Sequence, residues 1–149
     1  MRKYALDTNC YIDASHDAGA LTALQEFTQW AAPGLYLSAI VGAELRAGTR
    51  DARARKLVES EILGPFEQRG RILTPSARAW EALGTALGTL HDDAGLQLSK
   101  VTRSFAFDVL LAHSCREAGV VLVTRNSRDM ERIRRVFSFE YVAPYPDLT

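Results

Sequence analysis

The run Val120–Val123 constrains the fold of this chain more than any other stretch. Four consecutive apolar residues, three of them β-branched, leave no polar face for water. Such a run suits a strand covered on both sides, the environment of a parallel sheet. Shorter stretches at residues 4–6, 35–37 and 71–73 read as further strands, and residues 139–142 as a last edge strand. Helical patterns lie between them. In residues 18–31, Leu21, Leu24, Phe27 and Ala31 recur at three- and four-residue spacing. Alternating strands and helices predict a central parallel sheet with helices on both faces. A length of 149 residues fits one domain spanning 1–149, and no repeat, linker or low-complexity segment interrupts it.

Local punctuation fills in the elements. Ser38 suits the N-cap of a helix that carries Ile40, Val41, Glu44 and Leu45 and ends near Gly48. Asp51 opens another, with Ala54, Leu57, Val58 and Ile62 facing inward, and Gly64-Pro65 is expected to break it. Thr74-Pro75 predicts the start of a helix through Trp80, Leu83, Leu87 and Leu90. Gly84 and Gly88 sit four apart within it, a spacing for close helix packing or a dimer contact. Residues 91–100 read as a polar loop, Ser104 as the start of a helix ending at Gly119, and residues 128–136 as a short helix.

Composition narrows the chemistry. Lys plus Arg equals Asp plus Glu at 18 each, so bulk charge identifies no partner. Two basic clusters, Arg46 to Lys56 and Arg125 to Arg135, are solvated helix faces unless they flank a reactive centre. Cys10 and Cys115 have no zinc-ligand spacing, and the three histidines are scattered, which argues against a His/Cys metal site. No apolar run reaches the length of a signal-peptide core or a membrane span. A cytoplasmic protein with reduced thiols is expected.

Four acids break the pattern. Asp7 closes the first strand, and the carboxyl ends of strands are where open parallel sheets gather their ligands. Glu44 lies on a helical stripe with Ile40 and Val41. Asp108 interrupts the otherwise apolar stripe Phe105, Leu111, Ala112, Cys115, where a lone carboxylate costs many kcal/mol. Asp129 follows the Val120–Val123 strand by one turn. Each has an ordinary explanation: a turn aspartate for Asp7, a capping arrangement with Asn126 as N-cap and Asp129 three residues on, an arginine partner such as Arg46 for Glu44 and Arg103 for Asp108. One carboxylate cluster accounts for all four. Clustered carboxylates repel unless a cation holds them, and oxygen-only ligands select Mg²⁺ or Mn²⁺. The chemistry that follows is metal-assisted phosphodiester hydrolysis.

These residues carry a resemblance. Asp7-Thr8-Asn9, Glu44 within Ala43-Glu44-Leu45-Arg46-Ala47-Gly48, Asp108 on a late helix, and Val123-Thr124-Arg125-Asn126-Ser127-Arg128-Asp129 resemble the PIN-domain ribonucleases. They are most similar to the VapC toxins of VapBC toxin–antitoxin modules. The match runs in order over almost the whole chain. It departs at Met130, where an aromatic residue is common, and at Phe107 and His113, where small residues are expected. The resemblance implies a PIN-like α/β/α sandwich around a parallel sheet of about five short strands. It implies a Mg²⁺- or Mn²⁺-dependent endoribonuclease that hydrolyses RNA phosphodiesters with metal-activated water. It further implies restraint by a VapB-type antitoxin, and a homodimer. Asp7, Glu44, Asp108 and Asp129 would be the catalytic and metal-binding acids. Thr8, Asn9, Thr124 and Asn126 would support them by hydrogen bonds, and Arg46, Arg125 and Arg128 are candidates for RNA contact. The alternatives are a nuclease of this fold in RNA processing or acting on DNA, and a non-catalytic α/β interaction domain. A haloacid-dehalogenase-type phosphatase wants a second aspartate where Asn9 stands, and a response-regulator receiver wants paired acids near the first strand.

Overall fold

A computed structural model describes residues 2–148. Five strands, β1 (Lys3–Leu6), β2 (Leu35–Ser38), β3 (Ile72–Leu73), β4 (Val120–Val123) and β5 (Tyr141–Val142), form one sheet in the order β3-β2-β1-β4-β5. Every pairing is parallel. β1 and β4 lie at the centre, and all four residues of β4 are buried, as an uninterrupted apolar run requires.

Among the described residues eight α-helices flank the sheet: α1 (Thr8–His16), α2 (Ala18–Ala31), α3 (Ala39–Ala47), α4 (Ala52–Leu57), α5 (Gly64–Gln68), α6 (Ala77–Ala94), α7 (Arg103–Ala118) and α8 (Ser127–Arg134). The chain steps from β1 outward to β2 and β3, then returns across β1 to β4 and β5. The right-handed rule for parallel crossovers assigns α1 to α5 to one face and α6 to α8 to the other. The packing agrees: α1 lies on α2 and α3, while α7 lies on α6, α8 and β4. The α/β/α sandwich of five short strands expected from the sequence is therefore present. Reversal of the winding at β1 and β4 creates a switch point, and the carboxyl ends of those two strands border it.

The core is continuous across the layers. Tyr4 of β1 meets Phe27 edge-on at 5.3 Å between ring centroids, and Trp30 packs against both rings. Full burial of Phe27 contributes about 1.5–3 kcal/mol. On the other face, Phe105, Leu111, Ala112 and Cys115 of α7 are buried, as their stripe predicts. Gly119, at φ +66°, ends α7 in the left-handed conformation and turns the chain directly into β4.

Several boundaries differ from expectation. Residues 8–16, assigned no element from the sequence, form α1. Its buried face is only Thr8, Cys10 and Tyr11, too short and polar to show a helical period. Gly64-Pro65 does not break the chain. A wide π turn over Val58–Leu63 runs straight into α5, and its extra residue makes room for the proline ring. Leu57, expected inside, is exposed. Ser76 rather than Thr74 caps α6, accepting from the Ala79 N–H at 3.2 Å. α6 extends to Ala94, so the expected loop is shorter, and Trp80 on its outer face is exposed.

Candidate active site

The register of β1 and β4 sets the geometry. Leu6 lies beside Val123, so the next residues, Asp7 and Thr124, emerge together from the central strands. The Asp7 N–H continues the ladder to the Val123 carbonyl at 2.9 Å. Thr124 Oγ1 donates to Asp7 Oδ2 at 2.7 Å and accepts from Asn9 Nδ2 at 3.1 Å and from the Asn126 N–H at 3.0 Å. Asn9 Nδ2 also reaches Asp7 Oδ2, at 3.3 Å, and the other Asp7 oxygen accepts the Thr8 N–H at 2.7 Å, capping α1.

The remaining acids join this web. Ser38 ends β2 and caps α3 through the Ile40 N–H, which sets Glu44 one turn farther along. Glu44 Oε1 accepts the Thr8 hydroxyl at 2.9 Å. Asn126 caps α8 with its side-chain oxygen. Its Nδ2 donates to Asp108 Oδ2 at 3.0 Å and to Asp129 Oδ2 at 3.2 Å. All four acids and all four supporting residues named from the sequence thus form one hydrogen-bonded group. Its members come from both ends of the chain.

Electrostatics marks the same group. Burial, together with the charges of Asp7, Asp129 and Glu44, pushes the Asp108 carboxyl up to about 8, against the hydrogen bond from Asn126. Burial also raises Asp7, opposed by Thr124, the Thr8 N–H and Arg125. Glu44 is raised by its own desolvation; the Thr8 hydroxyl and Arg103 pull it down, while Asp7 pushes it up. The ordinary alternatives for Asp108 and Glu44 do not operate. Neither enters an ion pair among the described residues; Arg103 stacks over Phe107, and Arg46 binds Glu59 and Glu67.

The donor set fits a hard divalent cation. It is all oxygen and rich in carboxylate, and Asp7, Glu44 and Asp108 have no cationic partner among the described residues. As the side chains stand, no three His, Cys, Asp or Glu groups among the described residues converge tightly enough to hold an ion. Each carboxylate instead turns an oxygen to an N–H or O–H donor, which relieves mutual repulsion.

The arginines named from the sequence are differently placed. Arg125 grips both oxygens of Asp13, at 2.9 and 3.0 Å, and its backbone N–H donates to Asn9 Oδ1 at 3.2 Å. Arg46 is held by Glu59 and Glu67. Arg128 is exposed and enters no ion pair among the described residues. Two contributors were not foreseen. Asp13 fixes Arg125 across 112 positions of sequence, a pairing that no local pattern announces. Arg132 bonds Asp129 Oδ1 at 3.3 Å and lies 4.5 Å over the Phe105 ring; its three-residue spacing from Asp129 was the available signal.

No family model and no curated protein matches the chain. Solved structures do. A chain of DNA-bound VapBC from Salmonella typhimurium superposes with a TM-score of 0.68 at 21% identity, covering 97% of this chain and 100% of that one. A chain of the FitAB complex bound to the IR36 DNA fragment gives 0.68 at 19% identity, covering 97% of each. The chain has the PIN-like fold. A chain of FitAcB from Neisseria gonorrhoeae adds a third example of that PIN-like fold, with a TM-score of 0.66 at 20% identity over 95% of this chain and 97% of that one.

Proposed function

We propose that this protein is a divalent-metal-dependent endoribonuclease and the toxin of a toxin–antitoxin pair. The observation that carries the nuclease reading is the Asp108 carboxyl, buried beside three other acids without a basic partner among the described residues. The toxin reading draws on the complexes that share the fold, which are VapBC and FitAB assemblies. A VapB-like antitoxin and a second copy of the chain are the partners this reading expects.

Asp7, Glu44, Asp108 and Asp129 would hold Mg²⁺ or Mn²⁺. Such an ion supplies Lewis acidity at the scissile phosphate and lowers the pKa of water. The protein's own groups prepare that chemistry. Thr124 and the Thr8 N–H hold the Asp7 carboxylate in one orientation. Asn126 aligns Asp108 with Asp129 through one amide group. Burial keeps solvent away from Asp7 and Asp108. Arg128, exposed beside Asp129, would attract the RNA backbone.

The test is cleavage of single-stranded RNA and DNA, side by side, by purified protein with Mg²⁺, with Mn²⁺ and with EDTA. RNA cutting that needs the ion and falls at least 100-fold in Asp7→Asn and Asp108→Asn is expected. Undiminished cutting by either variant, or in EDTA, refutes the reading; cutting of DNA alone moves it to a deoxyribonuclease.

A further inference from the structure

A cavity of about 670 Å³ opens next to the carboxylate group, between α1, α2 and the segment after β5. Two chain segments tie it to the site. Cys10 lines it and follows Asn9; Arg125 lines it and follows Thr124. Asn9 and Thr124 both hydrogen-bond Asp7. The cavity is apolar over much of its wall. Phe27 and Tyr145 lie stacked, with centroids 5.2 Å apart and planes at 28°, and Pro144 and Pro146 flank them.

Its charged groups are Asp13, Glu26 and Arg125. Both Asp13 oxygens are committed to Arg125. Glu26 enters no ion pair among the described residues and is the carboxylate left to meet a ligand. Two carboxylates against one guanidinium leave the cavity net negative, which disfavours a phosphate. A neutral aromatic ring with N–H donors suits it, because an ionised carboxylate only accepts hydrogen bonds. Among the RNA bases, guanine offers two adjacent N–H donors, N1–H and the N2 amino group, on one edge. Single-stranded RNA supplies such bases unstacked, ready to lie against aromatic side chains.

We propose that this cavity is a guanine subsite, in which Glu26 accepts from the base edge and Tyr145 stacks on the ring, so that cleavage is directed to phosphates near a guanosine. The proposal rests on the ribonuclease reading for its biological use, but not for its binding test. The test titrates 5′-GMP, AMP, CMP and UMP into EDTA-treated protein, followed by NMR shifts of residues lining the cavity. GMP is expected to bind at least 10-fold more tightly than the others. Glu26→Gln, an exposed position on α2, should erase that preference, and Tyr145→Ala should weaken all four nucleotides. Mapped RNA cleavage sites should shift away from guanosine in Glu26→Gln. Equal affinity for all four nucleotides, or none, overturns the proposal. So does occupation by N-acetylarginine amide in preference to GMP, which would assign the cavity to a basic side chain of a partner protein. GMP-selective binding without RNA cleavage refutes the ribonuclease reading and supports the subsite; RNA cleavage without GMP selectivity does the reverse.

Discussion

Thr124 has a single hydroxyl proton, and two of its polar neighbours, Asn9 Nδ2 and the Asn126 N–H, are donors. The proton must therefore go to Asp7. Thr124→Val keeps the shape and removes this arrangement. It leaves a buried carboxylate short of a donor and two N–H groups short of an acceptor, at a cost of about 1–3 kcal/mol in stability. Metal affinity or activity should fall about 10–100-fold. Urea unfolding and RNA cleavage of the variant check both. Asp108 gives a pH signature. Unfolded, it loses its proton near pH ~3.9; folded, it keeps the proton up to about 8. Between those values the folded state binds more protons, so this residue's contribution to stability falls as pH rises. In chelator, the wild-type melting temperature should decline between pH 5 and 8 more steeply than that of Asp108→Asn. Mn²⁺ binding, which must displace the proton, should tighten over the same range.

At the scale of elements, the junction from the π turn to α5 admits no side chain at Gly64. A Cβ on Gly64 would stand 2.8 Å from the Glu59 carbonyl oxygen, a backbone atom that cannot swing aside. Gly64→Ala should destabilise the protein by about 1–3 kcal/mol, as overpacking does, and thermal melts would show it. This junction also shows where sequence reading stops. Glycine followed by proline is a helix breaker in isolation, and only the wider π spacing makes the pair admissible. Elements announced by a strong local signal were legible: the uninterrupted β4, the caps Ser38, Asp51 and Asn126, and Gly119. α1 was not, because its buried face consists of three residues and begins with a threonine. The candidate site was legible because Asp108 and Glu44 violate an apolar period that their helices otherwise keep. The engagement of Arg46 and Arg125 was not, since their partners lie at distant positions that only the tertiary structure brings near.

For the whole molecule, the proposed ion would offset the repulsion among the four gathered acids. Manganese binding should therefore stabilise the fold by mass action, about 2.7 kcal/mol at a hundredfold excess over Kd. For a chain of this size that is a rise of roughly 5–10 °C in Tm. Differential scanning fluorimetry with increasing Mn²⁺ measures it, and Asp7→Asn and Asp108→Asn should both abolish the rise. A flat response in the wild type would favour a non-catalytic interaction domain.

The seam between β1 and β4 divides the acids evenly. Asp7 and Glu44 precede α6, and Asp108 and Asp129 follow it. A cut after Gly95, which ends α6 in the left-handed conformation, would leave each fragment with half of the set. Neither piece should cut RNA alone. On the proposed function, nuclease output would return only when the two halves zip together along the central strands, which would suit the protein to a split reporter.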